Sequence, residues 1–200
     1  MRSLIKFSQA VDGLSTLVGK VTMWLILATT LISAGNAIVR KIFDTSSNSL
    51  LEIQWYLFAA VFMLGAGYGL LKNSHVRIDF LSSRFSDRTR NWIDIFGILV
   101  VLFPFCIVVI QLSWPLFTQA LASGEMSQNA GGLIRWPVYS LVPLGFGLLM
   151  LQGVSELIKR FAFLTGNGPD VLSGDDAKSD EQKHIEELEA IAARKLAGES

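Results

Sequence analysis

The chain has 200 residues, of which 51% are hydrophobic and only 17% charged, against about 25% charge in a soluble domain. Lys and Arg number 17, Asp and Glu also number 17, and few of these charges fall within four long apolar windows. Together these features exclude a soluble globular core and describe an integral membrane protein. The only cysteine is Cys106, so intrachain disulfides and dithiol chemistry are excluded. It lies in an apolar run, where it packs as a small hydrophobe.

The first window, 21–39, reads VTMWLILATTLISAGNAIV and carries no charge. It is longer than a secretory apolar core, and Ile32-Ser33-Ala34 and Asn36-Ala37 only weakly resemble a cleavage site. It is therefore expected to remain as a span. The second window is 53–71, the third 95–122 and the fourth 136–155. A helix rises 1.5 Å per residue, so about twenty residues cross about 30 Å of hydrocarbon. The expected fold is all-α: four transmembrane helices at about 18–40, 53–72, 92–122 and 136–159, in a domain covering 1–165. No period-two alternation points to strands.

Trp55, Trp92 and Trp136 stand at predicted span edges, where indoles favour the headgroup level. Pro137 falls in the first turn of span four, where its missing N–H is not needed. Pro104, Pro115 and Pro143 lie inside windows, and each frees a carbonyl and is expected to kink its helix. Gly65 and Gly69 have GxxxG spacing and would admit another helix backbone closely. The polar residues of the windows include Asn36, Gln54, Gln111, Gln119 and Gln152. Asn36 and Gln152 are candidates for interhelical hydrogen bonds, worth about 0.6–2 kcal/mol each.

Basic residues predict the orientation. Arg2, Lys6, Lys20, Lys72, Arg77, Arg84, Arg88, Arg90, Lys159 and Arg160 fall on one side; Arg40, Lys41 and Arg135 fall on the other. The positive-inside rule then puts both termini and the middle loop in the cytoplasm. In that loop Ser86 or Asp87 is expected to start span three, and the basic residues of its first turns suit anionic membrane lipids. Val76, Phe80, Leu81 and Phe85 could form an in-plane amphipathic segment. Beyond 165 a Gly-, Asp- and Ser-rich linker leads to a short helix with Ile185, Leu188, Ala192 and Leu196 on one stripe. That helix is either a marginal cytoplasmic segment or a docking element.

Much chemistry is missing. His75 and His184 are the only histidines and neither lies in a span, so axial haem ligation and histidine metal sites are not expected. No nucleotide-binding glycine pattern occurs. The windows hold no ionisable residue of the kind that lines a solute path. In KNSHVRIDFL (72–81), His75, Arg77 and Asp79 resemble an acid–base set, but no nucleophile or metal partner accompanies them. They read as a stop-and-turn segment: Lys72 and Arg77 fix topology, and His75 and Asp79 make polar contacts in the loop or with a partner. The chain reads as a membrane subunit whose chemistry is carried elsewhere, without catalytic residue, cofactor or nucleic-acid partner.

Several ordered motifs resemble the small permease subunit of tripartite ATP-independent periplasmic (TRAP) transporters. They are Asn36 and Arg40, then Glu52, Leu64-Gly65-Ala66, and His75-Val76-Arg77-Ile78-Asp79. The run GGLIRWPVYSLVPLGFGLLMLQGVSELIKR (131–160), with LEIQW before span two, is similar to the mannitol/chloroaromatic-type subgroup. Ala60 departs from the Trp of many members. The resemblance implies a scaffold that pairs with a large permease in sodium-coupled uptake of an organic acid, delivered by a periplasmic binding protein in the bacterial inner membrane. Glu52 is then expected to pair with Arg40, to contact the partner, or to remain a solvated loop carboxylate. Arg135-Trp136-Pro137 reads as an interface anchor or as a surface for the binding protein. The competing reading is a membrane-anchor or assembly subunit of a redox complex.

Overall fold

The computed structural model describes residues 2–44, 47–72 and 86–166. His75, Arg77 and Asp79, the stretch 76–85 and the tail after 166 lie outside the described residues. Five α-helices account for nearly all of the rest: α1 (Arg2–Phe43), α2 (Asn48–Leu71), α3 (Asp87–Gly97), α4 (Phe103–Ser123) and α5 (Trp136–Leu164). A π-helical segment, Ile98–Leu102, joins α3 to α4, so the two run on as one long rod. Four helical stretches are thus long and apolar enough to cross a membrane, one for each apolar window.

Local chemistry explains the ends. Ser86 caps α3, its hydroxyl accepting from the Thr89 amide at 3.3 Å. Gly124, at φ 61°, closes α4 in the left-handed region that suits glycine. Pro137 lies in the first turn of α5, while Pro115 and Pro143 sit within continuous helix. The π segment ends just before Pro104, and the Phe103 amide there donates to the Ile98 carbonyl, five residues back. A widened turn ahead of a proline re-registers hydrogen bonds around the missing N–H.

The sequence places the start of span one near residue 18, but helix α1 begins at Arg2. Its 42 residues extend about 63 Å, twice the hydrocarbon thickness. The extra length is not idle. Ser8, Val11 and Ser15 continue the buried face of α1 toward its N-terminus.

Helix α5 is the hub, packing against α1, α2, α3 and α4, while α1 and α2 also pack on each other. The seam is made of small and polar side chains. On α1, Ser8, Ser15, Thr22, Thr29 and Asn36 are all buried and stand seven residues apart. Large apolar residues point the other way: Trp24, Phe62 and Leu112 are each at least 70% exposed. This inversion suits a membrane, where lipid solvates apolar side chains as well as a core would. Small seam residues let helices approach, and hydroxyls bond back to their own helix, as Thr29 does to the Leu25 carbonyl at 2.7 Å.

Close backbone contact falls at glycines other than Gly65 and Gly69. A Cβ on Gly145 would lie 2.5 Å from the Met63 carbonyl oxygen, and one on Gly67 3.5 Å from that of Leu148. Gly145 sets the α2–α5 approach, and Gly67 stands at ordinary contact distance on the same seam. Gly65 has only Thr22 at ordinary contact distance, and Gly69 has nothing within 4 Å.

Candidate functional site

Polar interactions gather at the two ends of the bundle. At the loop end, the first turns of α2 grip the 124–135 connection between α4 and α5. This connection is a compact turn closed by a Met126–Ile134 bridge. The Arg135 amide donates to the Glu125 carbonyl at 2.9 Å, and Gly131 takes φ 70° at the tip. Glu52 fastens it. One carboxylate oxygen accepts from Asn129 Nδ2 at 2.7 Å and from the Ser127 hydroxyl, and the other accepts from the Leu133 amide at 2.7 Å. Ser49 donates to the Gly131 carbonyl, Asn48 to the Ala130 carbonyl at 3.2 Å, and Tyr56 to the Ile134 carbonyl at 3.1 Å.

Glu52 is therefore neither a solvated loop carboxylate nor a partner of Arg40. It is a 9% exposed group saturated by donors from the opposite loop. Arg135 belongs to the same end, pairing with Glu125 at 3.4 Å and donating to the Tyr139 hydroxyl at 3.2 Å. That hydroxyl, accepting from the guanidinium, pushes its pKa up from an already high ordinary value. Trp136 opens α5 behind it and is half-buried.

At the terminal end, α1 and α5 are joined by a buried network. Gln152, fully buried, accepts from the Ser15 hydroxyl at 2.7 Å and donates to Asp12 at 2.9 Å and to Glu156 at 3.2 Å. Ser155 donates to Asp12 at 2.8 Å and lies 2.7 Å from the Ser8 hydroxyl. Lys159 bridges Asp12 at 3.1 Å and Glu156 at 2.5 Å. Arg160, 2% exposed, pairs with the fully buried Glu156 and, at 3.1 Å, with Asp94 of α3. One connected set of side chains thus ties three helices. Buried charges are tolerated only when paired and hydrogen-bonded, and each member here is.

The other residues singled out by sequence stand apart from these clusters. Asn36, buried, and the exposed Arg40 line a cleft between α1 and α2, with Gln54 opposite. Gln54 accepts from the Ser33 hydroxyl at 2.9 Å. Trp55 is 76% exposed on the outer face of α2.

Reading by sequence passed over Asp12, Ser8, Ser15, Asp94 and Glu156, and treated Lys159 and Arg160 as topology charges alone. The local signal was present: Glu156 stands three and four residues before Lys159 and Arg160, the spacing of helical ion pairs.

Among the described residues no group of three or more His, Cys, Asp or Glu side chains could hold a metal ion. The charged groups of these two clusters hold helices and a loop together, and uncharged helix lies between them. Fold and site define a multi-pass membrane subunit with structural polar clusters. The family model described as "Tripartite ATP-independent periplasmic transporters, DctQ component" matches residues 29–163. The chain belongs to that family: it is the small membrane component of a TRAP transporter, not an enzyme. No curated protein and no solved structure gives a significant match.

Proposed function

We propose that this chain braces the large permease of a TRAP importer in the bacterial inner membrane, with both termini cytoplasmic. Uptake of an organic acid, delivered by a periplasmic binding protein and coupled to sodium entry, then takes place in the large subunit. The observation that carries this reading is the separation of charge. The middle of all four spans is free of charged residues, and the buried ions at the terminal end are paired with one another. A solute path would instead leave an ionisable or coordinating group facing a cavity in mid-membrane.

The excess of basic residues beside the terminal end supports the cytoplasmic assignment. It makes the Glu52-held loop the periplasmic face, and Arg135 there is the proposed contact for the binding protein. The motif run 131–160 supports the mannitol/chloroaromatic-type subgroup. Co-expression with the large permease tests the proposal. The pair is expected to co-purify, and omitting this chain is expected to abolish uptake while the large subunit remains in the membrane. Failure of the two chains to co-purify would count against the brace.

A further inference from the structure

The cleft between the ends of α1 and α2 is separate from both clusters. It is open, of about 610 Å³, and is lined by Asn36, Arg40, Lys41 and Asp44 on one side and Gln54 on the other. Two of its polar atoms lack partners among the described residues: Asn36 Oδ1, an acceptor, and Gln54 Nε2, a donor. Asn36 is only 8% exposed. The Ser33 hydroxyl occupies Gln54 Oε1, which fixes the amide so that its NH₂ is the group left over. Leaving a buried donor and a buried acceptor unpaired is costly, and a ligand that supplies one of each removes the cost.

The surrounding charges narrow the ligand. Arg40 and Lys41 suit a phosphate, and Asp44 suits a cation beside it. These three residues follow directly on the charge-free window that ends at Val39, so they stand at the headgroup level of a chain that crosses the membrane. Leu51 adds an exposed apolar wall. A neighbouring transmembrane helix would reach the orphan amides only through polar side chains, because its backbone groups are satisfied internally.

We infer that this cleft binds the headgroup of a phospholipid carrying a primary ammonium, phosphatidylethanolamine. Its phosphate meets Arg40 and Lys41 and accepts from Gln54 Nε2. Its ammonium donates to Asn36 Oδ1 and faces Asp44. Phosphatidylcholine has the same phosphate but no N–H to donate.

Native mass spectrometry of the full chain tests this, with equimolar palmitoyl-oleoyl phosphatidylethanolamine and phosphatidylcholine in the micelles. The unmodified chain is expected to retain the ethanolamine lipid about tenfold over the choline lipid, the scale of one charge-assisted hydrogen bond. Asn36→Leu is expected to erase that preference, and Arg40→Ala with Lys41→Ala to weaken both lipids. Excess inorganic phosphate is expected to leave the adduct in place. Equal retention of the two lipids by the unmodified chain would overturn the inference without need of any variant, leaving water as the filler. A preference that survives Asn36→Leu would place the lipid elsewhere and also overturn it. Displacement by inorganic phosphate would assign the cleft to a free anion. Variants that disturb only co-purification with the large permease would make it a protein contact.

Discussion

The two ends of the bundle are fastened by different chemistry. At the terminal end, charged side chains from α1, α3 and α5 meet one another with little access to water. At the loop end, one carboxylate meets neutral donors, a backbone amide among them, and what it holds is a connection between helices rather than a helix. The difference has an energetic consequence. Removing one partner from a desolvated ion set leaves another charge stranded, so the terminal end fails as a unit. Removing Glu52 frees a loop whose own bridge and turn hydrogen bonds remain. Damage at the first end spreads through the helices; damage at the second stays local.

Substitutions at each end test that contrast. The largest effect is expected from Arg160→Leu, which takes the buried guanidinium from both Glu156 and Asp94 and leaves the fully buried Glu156 with Lys159 as its remaining cation, at a cost of about 3 kcal/mol. Thermal melting of the purified chain in detergent measures it. Adding Glu156→Leu is expected to recover much of the loss, because a well-packed apolar pair substitutes for a buried ion pair. No recovery would mean that the ions act through something other than each other.

Gly145→Val comes next. Its side chain meets the Met63 carbonyl, and overpacking of this kind costs about 1–3 kcal/mol, read from the same melts. Gly69→Ala, in open space, is the control and is expected to stay within about 0.5 kcal/mol.

Glu52→Gln replaces an accepting oxygen with a donor in front of the Ser127, Asn129 or Leu133 donors. Faster hydrogen exchange confined to 124–135, with melting little changed, is the expected result. A global loss of protection would make the loop end as central as the other. The smallest effect is expected from Glu125→Gln. Glu125 and Arg135 are 42% and 34% exposed, and such pairs contribute about 1 kcal/mol or less.

The four spans were legible because apolar length is a strong signal. The seam between them was less so. Ser8, Ser15, Thr22, Thr29 and Asn36 recur every seven residues, yet the eye drawn to hydropathy reads small hydroxyls as neutral filler. In a membrane they are the buried face, and the conspicuous Trp and Phe residues are not. Glu52 was recognisable as a residue of interest, but its partners lie 75 to 81 positions away in sequence. The same distance problem hides Asp12, 140 residues from Gln152. Basic residues after span four gave an orientation signal and also bury into an ion network, and sequence counting captures only the first of these roles. Close approach at Gly145, rather than at Gly65 and Gly69, depends on which helix faces face each other, which spacing along one helix does not determine.

Uptake per assembled complex is the most direct measure of whether these polar clusters brace the transporter or take part in moving solute. The chain carrying Glu156→Leu with Arg160→Leu should be co-purified with the large permease, reconstituted in proteoliposomes with the binding protein, and assayed for uptake under an imposed sodium gradient, the proposed driving force. A brace predicts a lower yield of complex but unchanged uptake for each complex that forms. A fully assembled complex that no longer transports would contradict it and place the buried ions on the transport path.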